Sequence, residues 1–244
     1  MAKFPSGTAI EIFDTLDSTS AEARRRAEAG EAGPLWVLAL AQTAGYGRRG
    51  RGWEQQTGDF ACTLLFKPDA LPASWGQISF IVALALASVL DELMPEEKIA
   101  LKWPNDVLLD GAKCAGILLE SLGAALSIGV GVNIVTAPEG LPYPVARLMD
   151  HAAQPPAPQK LAERLDHHFW TFYRLWRAQG FAPIRDAWLA RAVGLGVDIT
   201  VRLPNEELSG VFEGLDETGA LVLRSPAGRR TIAAGDVFFA RRGN

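Results

Sequence analysis

Four apolar runs of strand length, at residues 35–42, 59–66, 114–120 and 124–135, constrain the fold of this chain most. Such short runs cannot bury themselves singly, so they have to pair into a sheet, and the sheet needs helices over it. Two shorter strands are expected at 99–102 and 107–109, and another at 9–13. Asp110-Gly111, just after 107–109, is a hairpin turn signal. A helix is expected from Thr19 to about Gly30, opened by a capping box of Thr19 and Glu22. Further helices are expected at 78–93, 160–179 and 182–192. Strands joined largely by hairpins, with helices between some of them, make an α+β fold: a mixed β-sheet covered by helices, expected on one face.

From Gly194 the pattern changes to short strands at 197–203, 208–215, 220–223, 230–233 and 237–240. Asn205, residues 216–219, Ala227-Gly228 and Gly235 supply the turns. This is the pattern of a small SH3-like β-barrel, too small to hold a cleft of its own. The expected domains are therefore 1–192 and 193–244. No flexible linker separates them, so the barrel is expected to pack on the first domain.

The whole chain has 244 residues, 48% hydrophobic and 21% charged, which suits one or two domains with a real core. The most apolar run, 78–93, is interrupted by Ser88, Asp91 and Glu92, well short of the roughly 18 residues that span a bilayer. Gly7, Thr8 and Glu11 break any signal-peptide core near the start. Cys62 and Cys114 have neither disulfide-framework nor metal-ligand spacing. A cytoplasmic setting with no membrane partner is expected. The net charge of −4 gives the surface as a whole no attraction for nucleic acid.

Three segments carry chemistry. Residues 42–53 read QTAGYGRRGRGW, where glycines let the backbone approach a ligand and Arg48, Arg49 and Arg51 supply positive charge. That suits bringing two anions together, but a basic nucleic-acid segment or a solvated loop is equally compatible with it. No Walker A or Rossmann fingerprint is present. Residues 102–106 read KWPND, and KCAGILLE begins at Lys113. Asn105 and Asp106 offer the oxygen ligands that a phosphate-bound magnesium ion prefers. Either lysine alone also reads as a surface charge. Residues 17–20, DSTS, open the first helix and offer hydroxyls and free backbone donors to a polar head group. Thr19 is already accounted for there as a helix cap.

In order and spacing these segments, with GVGVN at 129–133, resemble biotin–protein ligases. In that family D-S-T-N, Q-x-x-G-R-G-R-R-G-R-x-W, K-W-P-N-D and K-x-x-G-I-L-x-E follow one another. The resemblance runs from about residue 8 to 240. It implies ATP-dependent formation of biotinyl-5′-AMP, then transfer of biotin to a lysine of a biotin carboxyl carrier protein, with Mg²⁺ as cofactor. It makes Lys113 the leading catalytic residue, with Arg48 touching the reacting groups. Asn105 and Asp106 would orient Mg²⁺ and ATP, with Asp106 the metal ligand and a candidate to help deprotonate the incoming lysine. Ser18, Thr19 and Gln42 would hydrogen-bond the ureido ring of biotin, with Gly116 and Gly129 admitting backbone near it. Gly45, Arg49, Arg51, Trp53, Lys102, Gly131 and Asn133 complete the binding set, and ordering of loop 43–52 would shield the adenylate. A homodimer is compatible with the resemblance.

Two positions depart from the pattern. Tyr46 stands where the family usually has arginine, which removes one charge but leaves a hydroxyl able to donate a hydrogen bond. Ser20 replaces the common asparagine. The chain opens almost directly on its first strand, so no DNA-binding helix-turn-helix, and no repression of transcription, is expected. Two other readings stay open. A lipoate–protein ligase shares the fold, although the R-R-x-S-G-G-G segment that those enzymes resemble is missing. A nucleic-acid module would use Arg24, Arg25 and Arg26 with the arginine loop, although Glu22 and Glu28 make that helix face an ordinary solvated one. His151, His167 and His168 show no ligand pattern. The aromatic run 169–176 has helical spacing and reads as core.

Overall fold

The computed structural model describes residues 1–94, 97–152, 154 and 156–239. Strand β1 (Ala2–Lys3) leads into β2 (Ala9–Phe13), α1 (Thr19–Glu28), β3 (Leu35–Ala39) and β4 (Phe60–Phe66). Helix α2 (Ile78–Leu93) is followed by β5 (Ile99–Lys102), β6 (Asp106–Leu109), β7 (Ala112–Leu122) and β8 (Ala125–Val132). Helices α3 (Pro158–Gln179) and α4 (Ala182–Leu189) come next. Then follow β9 (Asp198–Arg202), β10 (Glu207–Leu215), β11 (Leu221–Ser225), β12 (Gly228–Ile232) and β13 (Asp236–Phe239). The expected end of the last strand at Ala240 lies outside the described residues.

The first eight strands form one mixed sheet in the order β1-β2-β3-β4-β8-β7-β6-β5, antiparallel except where β2 runs parallel to β3. Every residue of β3 and β4 is buried, as in a strand covered on both sides. On one side α2 and α3 pack over Trp36, Leu38, Cys62, Leu64 and Phe66. By length and hydropathy Pro72–Leu93 would suffice to cross a membrane, but most of it is core of the fold. The aromatic run is core as expected: Phe66 meets Phe169 edge-on at 5.6 Å, and buried Asp166 accepts from Trp36 Nε1 and Trp170 Nε1, each at 2.9 Å.

The expectation of helices on one face needs correction, because α1 lies on the other. There Ala23 packs on Leu65 and Ala125. The other residues of this face are small, namely Ala61, Thr63, Ser127, Gly129 and Gly131 on β4 and β8, so α1 covers only one end of it and a trough remains beside the helix.

The cap of α1 also differs from the expectation. Ser18, not Thr19, is the N-cap and accepts from Ala21 N at 3.4 Å. Thr19 turns inward to accept from Thr63 Oγ1 at 2.8 Å, its amide donates to Gln42 Oε1 at 2.7 Å, and Glu22 is committed to Arg25 and Arg26. Helix α4 ends at Leu189, short of the expected 192, because Arg191 O and Val193 N pair with Leu101 on β5.

Strands β9–β13 form a second, five-stranded antiparallel sheet of the SH3-like kind, in the order β12-β11-β10-β9-β13. It packs on the first domain as expected. Trp103 Nε1 donates to Gly219 O at 3.2 Å and Gln77 Nε2 to Glu217 O at 3.0 Å.

Candidate active site

In the trough on the α1 side of the sheet, β7 and β8 align two glycines, Gly116 opposite Gly131. A Cβ on Gly131 would lie 2.3 Å from the Trp53 indole, and one on Gly129 would lie 2.8 Å from Ser20 Oγ. Both positions therefore exclude a side chain. The result is a cavity of about 280 Å³ at the junction of the two sheets. Ser18, Thr19, Ser20 and Gln42 line one end, where hydroxyls and the Gln42 amide can meet a small polar ring.

Charge gathers at the other end. The pairing of β6 with β7 shifts register between Val107 and Leu108, so that Cys114 and Ala115 both face the core. A bulge of this kind re-aims the next side chain, and Lys113 emerges on the trough side with Nζ 2.6 Å from Asp106 Oδ1. Lys113 is fixed through its backbone too, since its N donates to Pro144 O and its O accepts from Ala146 N, both at 2.9 Å. Asn105 donates through Nδ2 to Ile117 O at 2.8 Å and accepts from Arg48 Nη1 at 3.1 Å.

Burial draws the pKa of Arg48 below the ordinary guanidinium value, although an arginine stays charged regardless. Lys102 is lowered as well, by burial first. Its Nζ lies 5.7–6.0 Å from the rings of Tyr143, Phe238 and Phe239. Three cations, Arg48, Lys102 and Lys113, around the Asp106 carboxylate in a partly dehydrated cleft suit the joining of a carboxylate to a phosphate, because their field is least screened there.

The arginine loop closes over this cleft as a small hairpin. Tyr46 pairs with Gly52 at its base, Gly47 N donates to Arg51 O at 2.8 Å, and Arg49 at the tip takes a left-handed conformation with φ 59°. Arg49 Nη1 reaches Asp236 on β13 at 2.9 Å, and Arg51 pairs with the same carboxylate. Trp53 lies in the trough, and its Nε1 is a buried donor without a partner among the described residues.

All the site residues expected from sequence line this cavity except Gly45 and Arg49. Gly45 serves the loop, because a Cβ there would strike Trp53 O at 2.5 Å, and Arg49 faces Asp236. Asn133 lines the cavity with its Nδ2 donating to Ala146 O at 3.2 Å. Asp17 is committed to Arg25, whose hydrogen bonds hold its carboxyl down at about 2. Tyr143, Asp236, Val237 and Phe238 also line the cavity. They were missed because they sit in segments with no motif, and only folding brings them to the loop. Arg24, Arg25 and Arg26 are each paired with carboxylates, which argues against their offering a basic face to nucleic acid. His151 Nδ1 lies 3.3 Å from Glu97 and 3.9 Å from Asp110, a cluster formed by residues outside the cavity lining.

Comparison with known proteins points to one family. The profile of the biotin/lipoate A/B protein ligase family matches residues 13–133, and that of the biotin protein ligase C-terminal domain matches 194–240. The biotin–[acetyl-CoA-carboxylase] ligase of Paracoccus denitrificans is 46% identical over 91% of this chain and 97% of its own length. The enzyme of the same description from Mycobacterium tuberculosis is 30% identical over 95% and 89%. Among solved structures, a biotin protein ligase of Aquifex aeolicus in complex with biotin and ATP superposes with a TM-score of 0.84 at 22% identity, covering 94% of this chain and 97% of that one. The ligase of Leishmania major in complex with biotinyl-5-AMP gives 0.68 at 26% identity, covering 93% and 99%.

Proposed function

The chain belongs to the biotin/lipoate A/B protein ligase family, and from that premise we propose that it activates biotin with ATP and passes it to a lysine of a biotin carboxyl carrier protein. The observation that carries this reading is the meeting of Lys113, Asp106, Asn105 and Arg48 at one end of a trough whose other end is lined by Ser18, Thr19 and Gln42.

In the first step the biotin carboxylate attacks the α-phosphorus of ATP, forming the acyl–phosphate bond and expelling pyrophosphate. Two anions repel each other on approach, so the chief task of the protein is to place cations between them. Lys113 is the group best placed for this, oriented by Asp106, and Arg48 follows, oriented by the neutral Asn105 amide. Trp53 offers the adenine an aromatic face, while Gly116 and Gly131 let its indole lie close to the sheet and Gly129 leaves room for Ser20.

A magnesium ion typically takes one or two carboxylates and completes its shell with phosphates and water. Asp106 pairs with Lys113 through one carboxylate oxygen and would offer the other to the ion, while Asn105 is already committed to Arg48 and Ile117. Bound there, the ion would neutralise phosphate charge. In the second step the carrier amine attacks the biotinyl carbonyl and AMP leaves. Closure of the arginine loop keeps water from the anhydride meanwhile.

Two unpaired, buried cysteines support a cytoplasmic setting. ATP–pyrophosphate exchange with biotin or lipoate as the sole acid tests the reading. Exchange is expected with biotin alone, and exchange driven by lipoate would replace this function with the sister one.

A further inference from the structure

Arg48, the arginine aimed at the reacting groups, is held directly by a neutral partner, Asn105. Its position therefore depends on how firmly the loop that carries it is fixed. The tip is fixed by Asp236. At the base, the Tyr46 hydroxyl donates to Glu120 Oε2 at 3.1 Å, and Glu120 Oε1 accepts from Arg24 Nη2 at 2.8 Å. Three separate pieces of chain, the loop, β7 and α1, meet through this one carboxylate.

We infer that Tyr46, Glu120 and Arg24 form a clasp that holds the base of the arginine loop closed before any ligand binds, which makes Tyr46 a positioning residue for Arg48. The kinetic consequence rests on the proposed adenylation; the structural one does not. An arginine at 46 would bring a further charge to the base of the loop. Tyrosine brings none, and its bond to a carboxylate already matched by Arg24 needs no substrate anion. An exposed ion pair such as Arg24–Glu120 contributes little by itself, but Glu120 is only 20% exposed, and a hydrogen bond to an ionised acceptor there is among the stronger kinds. Burial and the neighbouring carboxylate raise the pKa of Tyr46, so its proton stays available as donor through the neutral range. A loop ordered in the free enzyme binds with less entropy to lose, so the clasp acts on substrate affinity.

Limited trypsinolysis of the ligand-free protein reads the clasp directly, at the bonds after Arg48, Arg49 and Arg51. Tyr46→Phe keeps the ring and loses the hydroxyl, and should raise cleavage there by about three- to tenfold, the size of one charge-assisted hydrogen bond at a half-buried site. Glu120→Ala should do the same, and the double variant should be no faster than either single one. In adenylate formation, the biotin KM of Tyr46→Phe should rise by a similar factor and kcat should change far less, since saturating substrates order the loop themselves. Unchanged cleavage in Tyr46→Phe, or effects of the two substitutions that multiply independently, would overturn the clasp. Because the proteolysis needs no substrate, a protein that makes no adenylate would sink the enzymatic reading while leaving this result to stand or fall alone.

Discussion

Lys113 owes its place to a single extra residue. Without the bulge at Cys114, strict alternation along β7 would turn Lys113 into the core beside Ala115, where its charge could not be tolerated. Lys113→Ala should therefore leave the fold intact and lower the rate of adenylate formation by about 10²–10³, the usual cost of one transition-state charge contact; retention of most activity in a single-turnover assay would make it a surface lysine. Gly131→Ala should act through bulk, since the new methyl meets the Trp53 indole and overpacking typically costs about 1–3 kcal/mol. Its readout is a melting temperature lowered by about 2–4 °C per kcal/mol, together with weaker nucleotide binding in a calorimetric titration. Burial pushes the Cys114 thiol up to about 12 and Cys62 well above its ordinary value. Neither should be alkylated at pH 8 until the protein unfolds, and fast labelling of the native protein would show the core to be open. At this scale the sequence motifs were informative: DSTS, KWPND and KCAGILLE marked residues that do meet at one cavity. They could not show that Thr19 is drawn from the cap by Thr63, nor that Asn105 is occupied by Arg48, because both facts depend on partners from distant segments of the chain.

The arginine loop is the element on which the proposed chemistry turns, and it is tied at both ends. Its tip is held by the ion pairs of Arg49 and Arg51 with Asp236, in which the arginines are 39% and 57% exposed. At such exposure the two pairs together contribute only about 1 kcal/mol. Asp236→Asn should accordingly speed dissociation of biotinyl-AMP by roughly fivefold at low salt, and the difference from wild type should shrink as salt screens the pairs. A rate that ignores both substitution and salt would separate the tip from adenylate retention. Arg48→Gly should go further, letting adenylate escape to label lysines of unrelated added protein, whereas labelling confined to the carrier would remove Arg48 from the shield. The strands and helices were legible because each has a clear period and flanking turns. The loop's anchors were not, since Asp236 lies 187 residues beyond Arg49 in a short strand whose pattern specifies only its own sheet.

The cavity belongs to neither sheet alone. Sheet one supplies the glycine trough and Lys113, and sheet two closes the open side with Asp236, Val237 and Phe238. The division at 192–193 that we propose as a domain boundary is therefore a boundary of secondary-structure pattern, while the site crosses it. Leu65 and Ala125 explain why helices could not be confined to one side: α1 must cover them, yet leave Gly116 and Gly131 to the Trp53 indole. The whole arrangement is that of a protein that makes a reactive anhydride in one cleft and hands it to a second protein. The most direct test is to incubate the chain with biotin, ATP, Mg²⁺ and a biotin carboxyl carrier domain, following the intact mass of the carrier. The account predicts one biotin added at the carrier lysine, dependent on ATP and preceded by biotinyl-5′-AMP, and a folded protein that leaves the carrier unlabelled would contradict it.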